Sequence, residues 1–223
     1  MSGGKQLALA DAQRAARGLA RELEPFCERI EIAGSVRRGK PLVSDIELVA
    51  IPKVDRVEEL DMFGQAVLVR KHNYLDAHLR DMLRAPAGPI FKSRTDLFQA
   101  VGLLPDGVPD VVRWGERYKR FYFLWPARSA VVSVDLFITT PDNFGAIYVI
   151  RTGPSDFSRE LVTHLKHHTP YRQQDGAVIV EATGEVVPVR EETDYFALAG
   201  VPYIEPERRN VPALRKALRE TGA

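Results

Sequence analysis

Two acidic residues alternate with apolar ones in the segment Ser44-Asp45-Ile46-Glu47-Leu48. Side chains of a β-strand alternate between its faces, so both carboxylates point the same way, about 7 Å apart along the strand. Two such like charges repel unless a cation lies between them, and Mg²⁺ is a hard divalent ion that prefers carboxylate oxygens. A half-exposed strand with solvated acids shows the same alternation. The pair alone therefore leaves both interpretations open.

A third acid, Asp135, stands in the apolar, β-branched run 131–138. A carboxylate in a buried strand needs a partner, either a cation such as an arginine or a metal ion. If this strand pairs beside the strand at 43–51, three carboxylates converge at one place.

A glycine-flanked basic turn directly precedes the acidic strand. It reads Gly34-Ser35-Val36-Arg37-Arg38-Gly39-Lys40. Backbone N–H groups and the Ser35 hydroxyl can cradle phosphate oxygens, and Arg38 can bind a phosphate through a fork of donors. The order of residues thus predicts a phosphate site beside the carboxylates, although a solvated hairpin turn has a similar composition.

Apolar periodicity predicts the elements that must position these residues. Helices are expected at 8–26, 55–68, 74–86, 156–167 and 212–220. Strands are expected at 29–33, 43–51, 118–125, 130–139, 146–150, 177–181 and 186–189, with 118–125 and 130–139 joined as a hairpin. Residues 84–113 look irregular. The pattern predicts an α+β fold in two parts that meet near residue 140.

These residues resemble the DNA polymerase beta-like nucleotidyltransferase superfamily, and specifically the family X DNA polymerases. The family motif, Gly-Ser-x-Arg-Arg-Gly and then Asp-x-Asp, is matched by Gly34 to Gly39 and by Asp45-Ile46-Glu47. Further matches follow in order: Val134-Asp135-Leu136, Thr152-Gly153, Phe157, Ser158, residues 184–189, Asp194-Tyr195-Phe196 and Tyr203-Ile204-Glu205-Pro206. The resemblance covers about residues 6–52 and 115–210.

The resemblance implies a nucleotidyltransferase palm, a mixed β-sheet with helices on one face, over residues 1–140. An insertion is expected near 70–114. Residues 141–223 would form a small α+β subdomain that contacts nucleotide and DNA. Only 33 residues precede Gly34, so a minimal form without the lyase and fingers domains is expected.

The resemblance also implies site roles. Asp45, Glu47 and Asp135 would be catalytic and would bind two Mg²⁺ ions, with Mn²⁺ as a substitute. The expected nucleotide-binding residues are Gly34, Ser35, Arg38, Ser44, Arg151, Thr152, Gly153 and Ser158. Arg37 would pair with Glu205 as a conformational switch. The expected DNA-binding residues are Arg117, Lys119, Arg120, Lys166 and Arg172.

The implied activity is DNA-directed DNA polymerisation of the repair or gap-filling type, with a nucleoside triphosphate and a DNA primer-template as partners. Two departures keep alternatives open. Glu47 replaces the second Asp of the motif, and Ile150-Arg151 replaces the aromatic pair that precedes Thr-Gly in the family. The alternatives are transfer to another acceptor (an RNA end, a protein or a small molecule), untemplated terminal transfer, and noncatalytic nucleic-acid binding.

Composition narrows the setting. The chain has 223 residues, a net charge of +1 and one cysteine, Cys27, so any nucleic-acid binding must use a local basic patch and no internal disulfide can form. Without a signal segment or a membrane-length apolar run, we expect an intracellular, cytoplasmic monomer. His164, His167 and His168 lie at helical spacing without an acidic or thiol partner, which favours a helix end over a metal site.

Overall fold

A computed structural model describes residues 6–60, 62–63, 65–85, 89–91, 113–125 and 130–221. The helices are α1 Leu9–Leu23, α2 Gly34–Arg37, α3 Tyr74–Arg84, α4 Phe144–Thr152, α5 Ser155–His168, α6 Glu192–Leu198 and α7 Val211–Thr221. The strands are β1 Leu7–Ala8, β2 Cys27–Ile32, β3 Leu42–Val43, β4 Asp45–Pro52, β5 Val54–Leu60, β6 Ala66–Asn73, β7 Ile90–Phe91, β8 Arg113–Trp114, β9 Tyr118–Trp125, β10 Ala130–Ile138, β11 Tyr171–Gln174, β12 Ala177–Val180 and β13 Val186–Val187. The fold is α+β, as predicted.

A mixed sheet forms the centre of the N-terminal part. Its strand order is β2-β4-β10-β9-β7, with β8 paired to β9. Strands β4 and β10 run parallel, whereas β2, β7, β8 and β9 pair antiparallel to their neighbours. The predicted hairpin of β9 and β10 is confirmed, and its turn at 126–129 lies outside the described residues. Strand β10 therefore lies directly beside the strand that carries Asp45 and Glu47.

One face of this sheet is a hydrophobic core covered by α1 and α3. The apolar stripe of α1 is fully buried, as are Leu75 and Leu79 of α3. These side chains pack against Ile46 and Leu48 of β4 and Leu136 of β10. Alternation along β4 and β10 then leaves Asp45, Glu47 and Asp135 on the opposite face. Burial of the apolar face thus sets the direction of the acids.

The helix predicted at 55–68 was wrong, because this segment is the antiparallel hairpin of β5 and β6. The helical pattern counted Phe63 as a core residue, but Phe63 and its neighbour Met62 lie in the turn with 78% and 89% of their surface exposed. Pairing across the hairpin satisfies backbone groups that a helix would otherwise have to satisfy. Most of the irregular segment predicted at 84–113 lies outside the described residues.

The C-terminal part builds a second core from α4 to α7 and the β11-β12-β13 sheet. The strand predicted at 146–150 was wrong, since these residues lie in α4. Its apolar run faces protein on most sides, between β4 and α6, and a short, fully apolar run has no period that separates a buried helix from a buried strand. The predictions missed β11 and α6. The predicted helices at 156–167 and 212–220 are confirmed as α5 and α7.

A third cluster of buried side chains joins the two cores. Phe144 and Tyr148 of α4 pack against Val49 of β4 and Phe137 of β10. Tyr148 also donates a hydrogen bond of 3.2 Å to the backbone oxygen of Ile32 in β2. Helix α4 therefore lies on the sheet face that carries the acids, with its C-terminal end leading into Thr152 and Gly153.

Candidate active site

The three acids of the predicted site lie on one face of two neighbouring strands. In the parallel register of β4 and β10, Asp135 lies beside Glu47 and Ser133 lies beside Asp45. Adjacent strands are about 4.8 Å apart, and side chains paired in register point to the same face. From the sequence, the three acids converge only if the two strands that carry them are neighbours. The strand order places β4 and β10 side by side, so this condition is met.

The ionisation of Asp45 and Glu47 reflects this crowding. Burial, followed by the negative charges of Asp45 and Asp135, raises the pKa of Glu47 to about 7. Burial and the charge of Asp135 also raise the pKa of Asp45. Like charges held this close favour protonation unless a cation neutralises them. A donor set made only of carboxylates suits a hard divalent ion.

Arg120 and Tyr118 bind the third acid. The Arg120 guanidinium donates from Nε to Oδ1 and from Nη2 to Oδ2 of Asp135, each at 2.6 Å. The Tyr118 hydroxyl donates to the same Oδ1 at 2.8 Å. Among the described residues, no group of three His, Cys, Asp or Glu side chains is arranged to hold a metal ion. In this conformation the counter-ion of Asp135 is an arginine.

The basic segment before β4 is a short helix, α2, where the sequence predicted a turn. Ser35 Oγ in this helix and Nε of Arg38, the residue that follows it, are buried and have no hydrogen-bond partner in the described part of the chain. Arg38 also donates from Nη1 to the backbone oxygen of Thr152. Burial lowers the pKa of Arg38, while the charges of Glu47 and Asp45 oppose that shift. A buried hydroxyl and guanidinium nitrogen without partners next to the acids are suited to phosphate oxygens.

Gly34 allows α2 to approach Glu47 closely. Its φ is +62°, and a Cβ placed there would lie 1.8 Å from Glu47 Oε2. A side chain at this position would meet both backbone strain and a collision with a site carboxylate.

We expect Gly34→Ala to lower the free energy of unfolding by about 2–3 kcal/mol, because strain of about 1–2 kcal/mol adds to displacement of Glu47. Gly39→Ala is the matched control, since Gly39 has φ +68° and open space around its Cβ position. Denaturant unfolding of both variants separates strain from collision. Equal losses would show that the contact with Glu47 has no energetic weight.

Arg37 joins α2 to the C-terminal part, although its partner differs from the predicted one. Its Nη1 and Nη2 donate to the two carboxylate oxygens of Glu192 at 2.7 Å, and Nη1 also donates to Thr152 Oγ1 at 2.9 Å. Glu205, the predicted partner, lies exposed before the 3-10 turn Pro206–Arg208. The correction has a geometric reason: α6 brings the buried Glu192 to Arg37, and a bidentate pair uses both of its oxygens.

Sequence reasoning missed this buried network. Arg209 is 2% exposed and donates from Nη1 to Glu192 Oε1 at 2.7 Å. Tyr203 donates its hydroxyl to Glu192 Oε2 at 3.1 Å, and the Arg37 guanidinium lies 3.9 Å from the centre of the Tyr148 ring. No spacing in the sequence distinguishes Glu192 from Glu191 beside it. The network could be found only from the fold.

The remaining predicted nucleotide-binding residues lie at the end of α4 and in the first turn of α5, except for Ser44. Thr152 is fully buried, and Ser158 Oγ donates to the backbone oxygen of Ile150 at 2.9 Å. Arg151 lies with its guanidinium 4.0 Å from the centre of the Phe137 ring, and its charge slightly offsets the rise in the pKa of Glu47. Gly153 lets Ser158 approach, since a Cβ there would lie 2.5 Å from Ser158 Oγ. Ser44 is exposed and accepts a hydrogen bond of 3.3 Å from Gln6.

Two of the five predicted DNA-binding residues form ion pairs with acidic side chains of the protein itself. Lys119 is 2% exposed, with its Nζ 2.6 Å from Asp76 Oδ1. Arg120 binds Asp135, as described above. The contact between Arg120 and Asp135 was predictable from the β9–β10 hairpin. With four residues between the strands, the register places residues 120 and 135 opposite each other.

The other three predicted DNA-binding residues lie nearer the surface, in different elements. Arg117 is exposed and donates to the backbone oxygen of Asp175 at 2.9 Å. Lys166 is exposed on α5. Arg172 of β11 is partly exposed and lies 2.5 Å from Glu181. Because these three residues lie in different parts of the chain, their positions do not mark one path for a nucleic-acid phosphate backbone.

Two further candidates for chemistry have structural roles. Burial raises the pKa of the Cys27 thiol to about 12, so the reactive thiolate is rare at neutral pH. The His164 ring is buried with Nε2 3.1 Å from the backbone oxygen of Ala199, and burial lowers its pKa. His164 thus stabilises the end of α6.

The site and fold together define a class: an α+β protein in which a mixed sheet presents acids beside a compact C-terminal lobe. Residues 148–210 match the family model described as the DNA polymerase beta thumb. This part of the chain is thus similar to a DNA polymerase thumb, and the match supports a family X DNA polymerase-like protein that binds DNA. No curated protein matches the chain. None of the helices in the described part of the chain combines the length and apolar character needed to cross a lipid bilayer.

Proposed function

We propose that the chain is a nucleotidyltransferase that acts as a DNA polymerase, adding a nucleotide from a dNTP to a primer 3′-hydroxyl. One arrangement supports this most strongly: Asp45, Glu47 and Asp135 share a sheet face beside Ser35 Oγ and Arg38 Nε, which are buried and have no hydrogen-bond partner among the described residues. In this proposal residues 1–140 are the palm, with an insertion near 70–114, and residues 141–223 are the nucleotide- and DNA-contacting subdomain.

In this proposal the acids hold two divalent ions, Mg²⁺ or Mn²⁺, because burial and neighbouring negative charge raise the pKa values of Asp45 and Glu47 and a cation would lower them again. Such ions would polarise the 3′-hydroxyl and neutralise charge on the triphosphate. Ser35 and Arg38 would bind phosphate oxygens and hold the α-phosphorus in line. The 3′-oxygen then forms a bond to that phosphorus, the bond to pyrophosphate breaks, and the hydroxyl proton leaves toward the carboxylates.

A specific observation favours a second function, transfer to another acceptor or untemplated addition. Lys119 and Arg120 are paired internally with Asp76 and Asp135. These two cations therefore do not face a template in this conformation. An RNA end, a protein or a small molecule would need fewer phosphate contacts than a primer-template does.

Primer extension tests the proposal. Gapped and recessed-end DNA would be incubated with Mg²⁺ and each dNTP or rNTP singly, using wild type and Asp45→Asn. We expect addition dictated by the template base and a decrease on the order of 10³-fold in the variant, because several kcal/mol of charge stabilisation is lost. Circular dichroism confirms that the variant is folded.

Each outcome decides between functions. Addition that ignores the template base would establish the terminal-transfer alternative. Full activity of folded Asp45→Asn would remove the acids from the chemistry. No incorporation by wild type would exclude the polymerase and move the test to RNA ends and protein acceptors with radiolabelled nucleotide.

A further inference from the structure

Two side chains of β9 donate hydrogen bonds to most of the acceptor sites of Asp135. A carboxylate offers about four acceptor sites. Arg120 Nε and the Tyr118 hydroxyl both bind Oδ1, and Arg120 Nη2 binds Oδ2. Three donors therefore occupy the group, and Oδ1 retains no free acceptor site.

The two partners of this ion pair differ in their freedom to move. Asp135 is 5% exposed on a central strand, paired on one side with β4 and on the other with β9. The Arg120 side chain is 32% exposed, on a longer and more flexible chain of single bonds. If the pair opens, it is the guanidinium that leaves.

A divalent ion and the Arg120 guanidinium compete for the same place. Both are cations that seek the Asp135 oxygens, and the charge of Arg120 also reaches Asp45. At a separation of a few Å their mutual repulsion amounts to several kcal/mol near a protein surface. The ion pair thus weakens a metal site formed by these acids.

We infer that Arg120 competes with divalent ions for Asp135, the third acid. Its guanidinium binds the Asp135 carboxylate in the metal-free protein and is displaced when a divalent ion binds. This inference rests on the proposed function, because it takes the acids to be the metal site. Arg120 is a positioning residue here. The ion pair keeps a buried carboxylate neutralised until a stronger cation replaces the guanidinium.

Equilibrium titration with Mn²⁺ tests the inference without any measurement of catalysis. Free Mn²⁺ is followed by electron paramagnetic resonance in the presence of wild type, Arg120→Gln and Arg120→Lys. We expect Arg120→Gln to bind about tenfold more tightly than wild type, because one neighbouring positive charge is gone. Arg120→Lys should fall between them, because it keeps the charge and loses the fork of donors.

Two further variants act as controls. Arg215→Gln removes an arginine that makes the same two-donor bridge, from Nε and Nη2 to Glu160, between α7 and α5 of the C-terminal part. It should bind Mn²⁺ as wild type does. Asp45→Asn should bind at least tenfold more weakly, which places the ion at the acids.

The outcomes separate the inference from the proposed function. Equal Mn²⁺ affinity in wild type and Arg120→Gln, with weaker binding in Asp45→Asn, overturns the competition and leaves the metal site intact. Tighter binding by Arg120→Lys than by Arg120→Gln also overturns it. Unchanged affinity in Asp45→Asn, or no binding by any variant, overturns both. If Arg120→Gln does not fold, Arg120→Lys decides the question. Tighter Mn²⁺ binding than wild type supports the inference, and equal binding overturns it.

Discussion

The free energy of unfolding of Glu192→Gln is expected to be about 3–5 kcal/mol lower than that of wild type. Gln keeps the shape of the side chain but removes the negative charge that Glu192 places between the Arg37 and Arg209 guanidinium groups, which bind it at 2.7 Å. Arg209 is 2% exposed, so its charge cannot be solvated where it lies. Leaving a buried charge without its counter-ion is among the costliest single changes in a protein.

The pKa of Glu192 indicates the same balance. Burial by itself raises this pKa, but the hydrogen bonds from Arg37 and Arg209 outweigh it and lower the pKa below its usual value of 4.5. A lowered pKa stabilises the folded state above pH 4.5, and that contribution is lost as pH falls through the folded value. The difference between wild type and Glu192→Gln should therefore be largest at neutral pH and decrease in acid.

Chemical denaturation at pH 7 and in acid measures this effect, with Glu191→Gln as the matched control. Glu191 stands next in the chain and binds Arg29 through two contacts, yet 53% of its side chain is exposed. Exposed pairs contribute about 0–1 kcal/mol, and Glu191 also caps the N-terminus of α6, a role of about 1 kcal/mol that the Gln side-chain oxygen can keep in part, so the control should lose clearly less stability than Glu192→Gln. If both variants lose the same stability at pH 7, the buried network does not join the two parts of the chain energetically.

Without divalent ions, Glu47→Gln is expected to be more stable than wild type at pH 8 by about 2 kcal/mol. Folding raises the pKa of Glu47 from 4.5 to about 7, so the folded chain holds this proton more tightly than the unfolded chain does. Stability contributed by the protonated group is present below pH 4.5 and is lost as pH rises to about 7. Each pKa step of one corresponds to about 1.4 kcal/mol, and partial exposure to solvent reduces the sum.

Thermal or chemical unfolding at pH 4.5 and pH 8 tests this sign. The advantage of Glu47→Gln should be absent at pH 4.5, where wild type is also protonated. Glu31→Gln on the neighbouring strand β2 is the control, since Glu31 is partly exposed and lies 3.6 Å from Arg29. Added Mg²⁺ should stabilise wild type at pH 8 more than it stabilises Glu47→Gln. Lower stability of Glu47→Gln at pH 8 would contradict the assigned crowding of the acids.

Much of the site was predictable because it is local in sequence. Alternation along β4 directs Asp45 and Glu47 to one face whatever the rest of the chain does. The hairpin of β9 and β10 was predictable for the same reason, since only four residues separate its two strands in the sequence. Local periodicity failed at 55–68 and 146–150, where the same apolar spacing fits both helix and strand and burial decides between them.

What the sequence alone determined is the set of acids, the basic segment beside them, the resemblance to family X polymerases and the α+β class. Each of these is recognised from residue types and spacing within short segments of the chain. Only the tertiary structure decided that β10 lies parallel to β4, that Arg120 binds Asp135, and that Glu192 binds Arg37. These contacts join residues that are distant in sequence. Each depends on which apolar faces pack together, a property of the whole chain that no short segment contains.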